Sequence, residues 1–378
     1  MRAGFLLLLL ASAAWAQVDP QKAAPGASPA EPEPTPMALP PAPVGEVFAV
    51  QNPGMITSYQ ADDASVKQAV DRLVIAVTKQ PTAAAAWSSL VKPTDRVGLK
   101  ISAAGQQYFS THHAVVNAVV AGLQQAGISN DRIIVWDRNA DDLKQAGYRE
   151  KPGSYRVRWP YPGRGYAPKS IYVSSVLGQL IWGDLEFTRR YSTFELDPNE
   201  KPKDNLSSNS HYALVLANEV DKVINLPVLS AHANCGLAGA LYNMTIPNID
   251  NWRRFTSGFA QSDPAIPEMY ADPIISGKVV LTIMDGLIAQ FAGGPEFHPN
   301  YAVHHATLYA SRDPVALDTV AIKQIDQWRV RAKMRPNETD ASYLQTAREY
   351  GLGNAGAAEV KMLSSAQPAD LPLVGTNR

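Results

Sequence analysis

Seven residues of this chain have side chains and neighbours suited to chemistry: Lys100, Asp137, His232, Asn234, Cys235, Asn243 and Asp285. Lys100 lies in the apolar run Val97-Gly98-Leu99-Lys100-Ile101, where a positive charge must find a partner or a ligand. It therefore reads as an anion contact or as half of a salt bridge. His232, Asn234, Cys235 and Gly236 fall within five residues, soon after a second apolar run, Val223-Ile224-Asn225-Leu226. His232 and Cys235 stand three apart, a ligand spacing for a soft metal. A third or fourth ligand would have to come from His112, His113, His298, His304 or His305. No CxxC, HExxH or second cysteine supports zinc, so a divalent metal rests on those two residues alone. A Cys–His nucleophile pair needs the same two side chains, in a geometry that residues three apart at a loop–helix junction rarely reach. The alternative is general acid–base work by His232 or Asp285, with Lys100, Asn234, Asn243 and Asp137 orienting a small polar or anionic ligand.

Such residues act together only if the fold places them together. The run 96–101 reads as a strand, 111–125 as a helix ended by Gly127, and 132–136 as a strand with Asp137 and Arg138 at its tip. That pattern predicts a right-handed βαβ crossover and a parallel sheet. The periodicity predicts further helices over 63–79, 211–220, 237–244, 315–328 and 340–350. Strands are expected over 46–50, 222–226, 278–284 and 306–310. Pro227 is expected to stop the ladder after Leu226, and Asp285-Gly286 to end the strand before them. Asp313-Pro314 reads as a helix start with Asp313 as cap. The expected fold is α/β, a mostly parallel sheet flanked by helices. An irregular β and loop insertion over about 149–210 lies over the C-terminal strand edge. Lys100, Asp137, the His232 group and Asp285 all sit at expected strand ends, where open α/β sheets place their ligands.

The composition narrows the partners. The chain has 378 residues, 46 % of them hydrophobic, enough for one large α/β domain with a real core. The net charge is −1 and no long basic run occurs, which argues against nucleic acid as the main partner. Arg2, the apolar run 5–10 and Ala14-Trp15-Ala16 make a signal peptide over 1–16, so an exported, periplasmic or secreted protein is expected. No later apolar run is long enough to span a bilayer. Residues 17–45, rich in Pro, Ala and Glu, read as a disordered linker, 46–360 as a single domain and 361–378 as a tail. The lone Cys235 cannot make an internal disulfide.

The runs VINLPVLSAHANCGLAGALYNMTIPNIDNWRRF, LTIMDGLIAQFAGGP and YASRDPVALDTVA, in that order, resemble the DUF362 family of uncharacterised proteins. The resemblance extends over roughly 92–330, with VGLKIS and THHAVVNAVVAGLQQAG in the place of the family's first βα unit. It implies an α/β fold and an unknown function. Some members carry iron–sulfur ferredoxin modules; with one cysteine, no iron–sulfur cluster is expected here. Lys100, His232, Gly239, Asn243, Asp285, Gly294, Pro295, Asp313 and Asp318 fall on matching motif positions. The family commonly has Lys-Pro-Asn where this chain has Lys100-Ile101-Ser102, and lysines at the places of Ser230 and Tyr242. These departures imply a changed ligand or a lost activity.

Two functions stay open from the residues. One is an exported enzyme acting on a small polar or anionic molecule; the other is a non-catalytic metal- or ligand-binding protein of the cell envelope.

Overall fold

The computed structural model describes residues 45–187, 205–257, 259–354 and 358–363. The expected leader, nearly all of the Pro-rich segment and the tail after 363 lie outside the described residues. In chain order the strands are β1 (Glu46–Gln51), β2 (Ile56–Thr57), β3 (Gln60–Ala61), β4 (Val97–Ile101), β5 (Ile133–Trp136), β6 (Arg156–Arg158) and β7 (Tyr166–Gln179). They continue as β8 (Leu206–Ala213), β9 (Lys222–Leu226), β10 (Val228–His232), β11 (Gly236–Leu237), β12 (Val279–Gln290), β13 (Ala302–Ser311) and β14 (Glu359–Leu363). The helices that position the site are α1 (Asp63–Thr78), α2 (Ala83–Leu90), α3 (His113–Gln125), α4 (Ala140–Gln145), α5 (Ala240–Met244) and α6 (Pro314–Arg331).

The main sheet runs β14-β1-β13-β12-β9-β4-β5-β6. Its pairs are parallel except where β13 meets β1 and β12, so β13 alone runs against the rest of this path. The β4–α3–β5 unit is the expected crossover between adjacent parallel strands. This is an α/β fold with a mostly parallel sheet and helices on both faces.

Alternation along each strand assigns the two faces. Leu99, Ile101, Ile133, Val135, Ile224 and Leu226 pack with α1, α2 and α3 in one core. Ile134, Trp136 and Val223 pack with α5 and α6 in the other. With period two, Lys100 and Asn225 must share the α5 face with Trp136, and the register sets Lys100 between them.

Several expected elements differ. Pro227 bends the chain rather than stopping it: β10 starts at Val228 and joins β12 further along, while the Pro227 carbonyl accepts the Asp285 N–H at 2.8 Å. Strand β12 continues to Gln290, so Asp285 sits inside a strand and not at its tip. Only the last part of 211–220 winds, as a π-helical turn over Val215–Glu219 after β8. The helix expected over 237–244 is shortened to α5 because Gly236 and Leu237 pair with β10. The helical part of 340–350 is Tyr343–Glu349, and β14 pairs with β1 across the boundary expected at 360.

Within the insertion, β7 and β8 form a separate antiparallel ribbon. One short segment of the next motif pins it to the domain. Arg254, 5 % exposed, donates to the carbonyls of Val176, Ser207 and Ser208 and to the Ser210 hydroxyl. Asn251 donates to Ser207 and Asn209 carbonyls, and the Asp250 carboxylate accepts the N–H groups of Leu185 and His211. A buried guanidinium with several carbonyl acceptors is costly to lose, since each acceptor is then left without a donor. Arg254→Met is expected to weaken the ribbon by roughly 3 kcal/mol, about a hundred-fold in local opening. Hydrogen exchange should speed up over 166–179 and 206–213 and leave β4, β5 and β9 unchanged; an unaltered ribbon would overturn this account of its anchoring.

Candidate functional site

A row of polar side chains crosses the sheet under α5. Thr282, Asn225 and Lys100 lie in register on β12, β9 and β4, and all are buried. Lys100 is fully enclosed, and its ammonium donates to the Ile101 carbonyl at 2.7 Å, Asp137 Oδ1 at 2.7 Å and Asn243 Oδ1 at 3.1 Å. Three acceptors use all three ammonium protons. Burial pulls the Lys100 pKa down, and the Asp137 carboxylate opposes that pull. Asn243 returns its amide to Asn225 Oδ1 at 2.8 Å and the Lys100 carbonyl at 3.3 Å, and Asn225 donates to the Ala240 carbonyl at 2.9 Å. Asp137 Oδ2 accepts the Ala103 N–H at 2.7 Å and so holds the loop after β4. Lys100 thus makes the salt bridge and not the anion contact: its protons are spent inside the fold.

Helix α5 is seated by Asp318 of α6, whose carboxylate accepts the N–H groups of Ala240 at 2.6 Å and Leu241 at 2.9 Å. Burial raises the Asp318 pKa to about 7. Gly239 is required there, because a Cβ would lie 2.1 Å from Asp318 Oδ1. Asp313 caps α6 as expected, accepting the Ala316 N–H at 2.8 Å.

Above this frame opens a narrow cleft of about 30 Å³, bounded by Ser102, Asp137, Arg138, Asn139, Asp142, Tyr242, Asn243, Pro247 and Pro295. That is room for roughly two water-sized groups. The Arg138 guanidinium lies 3.8 Å over the Trp252 ring, and its Nη1 is buried without a hydrogen-bond partner. Asn139 caps α4 by accepting the N–H groups of Asp141 and Asp142. Burial raises the Asp142 pKa, a shift that Gln106 opposes and Asp137 reinforces.

His232 stands behind Tyr242. Its Nδ1 accepts the N–H groups of Asn234 at 3.0 Å and Cys235 at 3.1 Å, which leaves the ring proton on Nε2, 3.2 Å from the Tyr242 hydroxyl. Burial, with a smaller push from Arg138, lowers the His232 pKa to about 4. Both ring nitrogens are engaged, Nδ1 by the two amides and Nε2 by the Tyr242 hydroxyl, and the ring is neutral at pH 7. The expected His232–Cys235 metal pair fails on the same geometry, because Nδ1 is turned onto its own loop. Cys235 is wholly buried, with a pKa raised to about 12 by burial. Among the described residues no group of three or more His, Cys, Asp or Glu could hold a metal ion. Asn234 is exposed and does not line the cleft.

Asp285 serves a different partner. Its Oδ2 accepts the His112 backbone N–H at 2.7 Å and lies 2.8 Å from His112 Nδ1, while Oδ1 accepts the Leu287 N–H at 3.1 Å. Burial lowers the His112 pKa, but the Asp285 charge and hydrogen bond outweigh it, and the net shift is upward. His113 instead meets the Ala146 carbonyl, and His305 meets the Tyr309 hydroxyl, so the histidines disperse. Asn225 was signalled by its place in an apolar run and Arg138 by its place at a strand tip; Trp252 and the His112–Asp285 pairing had no comparable signal.

The His232 shift has a pH consequence. A histidine held near 4 in the fold and near 6.5 when unfolded binds fewer protons folded, so its contribution is complete above pH 6.5. It is lost as pH falls toward 4, by about 3 kcal/mol. His232→Asn keeps an acceptor near Nδ1 and removes the titration. The difference in stability between wild type and variant should therefore shrink on acidification from pH 6.5 to 4; a constant difference would contradict a buried neutral imidazole.

A family model described as "Domain of unknown function (DUF362)" matches residues 194–323. This is narrower than the resemblance over 92–330 and leaves Lys100 and Asp137 outside it. No curated protein matches. A crystal structure of a Thermotoga maritima protein, solved as a structural-genomics target, is similar at 11% identity and a TM-score of 0.39. The similarity covers 74% of this chain and 61% of that one, so this chain spans less than two thirds of that relative. The stretch that matches this family model, 194–323, carries His232, Asn243, Asp285 and Asp318.

Proposed function

We propose that the cleft binds a small anion, or the anionic end of a small molecule, with the Arg138 guanidinium as the countercharge. The observation that carries this reading is the buried Nη1 of Arg138, which has no hydrogen-bond partner in a cleft whose neighbouring acceptors are engaged elsewhere. Asp137 is neutralised by Lys100, and stacking on Trp252 holds the guanidinium in place. The Tyr242 hydroxyl accepts from His232 and keeps its own proton to donate to a ligand. The family resemblance puts a lysine at the position of Tyr242; in this chain Arg138 supplies the positive charge instead. A low His232 pKa and a raised Tyr242 pKa favour a binding site over proton transfer by these two residues. Acid–base work, if the protein performs it, falls to His112, held by Asp285 with its side chain 12% exposed.

The test is calorimetric titration with inorganic phosphate and with acetate. Losing a charge-assisted pair should weaken binding in Arg138→Gln by at least about ten-fold, and Tyr242→Phe should weaken it by a few-fold. Equal affinity in wild type and Arg138→Gln would sink the reading.

Export also belongs to the proposal, supported by Arg2, the apolar run 5–10 and Ala14-Trp15-Ala16. The protein recovered from an envelope fraction should have a mass that begins at Gln17; an intact Met1 on that material would refute cleavage there.

A further inference from the structure

A second cavity, larger than the cleft, lies between α4 and the edge strand β6. Its volume is about 590 Å³, within the range that small-molecule sites occupy. Leu143, Tyr148 and Val157 are buried and form an apolar floor. Tyr148 is fixed by donating to the Thr111 carbonyl at 2.6 Å and by a stacked His113 ring 4.1 Å away. Trp159 and Tyr161 form one wall, with ring centroids 5.0 Å apart and planes inclined at 42°. Tyr161 is 54% exposed. Two aromatic rings set at an angle, with apolar surface beneath, offer a face to a third flat ring.

The charges around the cavity are uneven. Arg158 is tied to Glu150 at 3.1 Å and approaches Glu219 at 3.8 Å, so Glu150 is compensated. Lys144 and Arg149 are exposed and pair with no acid among the described residues. Asp141 is the remaining acid on the lining. Counting Lys144, Arg149 and Arg158 against Asp141 and Glu150 leaves one positive charge in excess. An apolar, aromatic-walled cavity with free cations at its rim complements a ligand that is flat, aromatic and negative.

We propose that this cavity binds a small planar aromatic anion, its ring against Trp159 and Tyr161 and its charge on Lys144 and Arg149. The cavity is distinct from the cleft: α4 and its cap Asn139 lie between them, offering Asn139 and Asp142 to one and Leu143 and Lys144 to the other. The site does not depend on Arg138.

The test titrates the full chain calorimetrically with naphthalene-2-sulfonate and with its neutral counterpart 2-naphthol at pH 7. Wild type should bind the sulfonate saturably at one site. Removing the stacking surface in Trp159→Ala should weaken both compounds by about ten-fold. The double variant Lys144→Gln/Arg149→Gln, confined to exposed side chains, should weaken the sulfonate by about ten-fold and leave 2-naphthol unchanged. Arg138→Gln should change neither. No saturable binding to wild type, or sulfonate binding that survives both the aromatic and the charge variants, would overturn the proposal. So would loss of sulfonate binding in Arg138→Gln alone, which would place the anion in the cleft. Binding of extended peptides along β6 in preference to both compounds would reassign the edge to a protein partner.

Discussion

The site depends on one buried ammonium. Lys100 points into the α5 face because the strand period leaves it no other direction, and there it is fully enclosed. An isolated charge in such a place costs several kcal/mol, and only a full set of acceptors makes it tolerable. Each acceptor recruited for that purpose then fixes another element. Asp137 ties the tip of β5 to the loop after β4, and Asn243 ties α5 to β4 and β9. Arg138 follows Asp137 and Tyr242 precedes Asn243 in the chain, so the same contacts bring both to the cleft. Removing one partner of a buried pair typically costs roughly 3–5 kcal/mol. By that scale Lys100 organises the cleft without lining it.

Much of the frame was legible because it follows from periodicity. Helix α3 with its Gly127 stop, strands β4, β5 and β9, and the Asp313 cap follow from apolar spacing and from Asp-Pro chemistry. What periodicity cannot show is pairing between distant strands. Strand β12 looked complete at Met284 because Asp285-Gly286 resembles a turn, yet its second half is held by β10 and β13. Pro227 resembles a terminator for the same reason, since the ladder it interrupts resumes only through distant partners. Its carbonyl still serves the ladder, and only its missing N–H interrupts it.

The chemistry was less legible than the frame. His232 and Cys235 have the spacing of a ligand pair, but that spacing leaves open whether the imidazole points toward its neighbour or back onto its own backbone. Two amides claim Nδ1 here. The acid–base assignment of Asp285 was incomplete for a related reason: a carboxylate's role depends on what faces it, and His112 lies 173 positions away. Arg138 was visible as a charge at a strand tip, but its lack of a partner is a property of the folded surroundings alone.

Strand β13, running against its neighbours, has a consequence for how the molecule is assembled. Through it the first described strand enters the sheet: β1 pairs with β13 on one side and β14 on the other, and Ser311 donates to the Glu46 carbonyl across 265 positions. During synthesis β1 therefore emerges long before either of its neighbours exists. Its apolar residues Val47, Phe48, Ala49 and Val50 have no ladder to join until most of the chain has been made. Sheet closure is a late event, and until then the β1 edge is open to whatever unpaired strand is nearest.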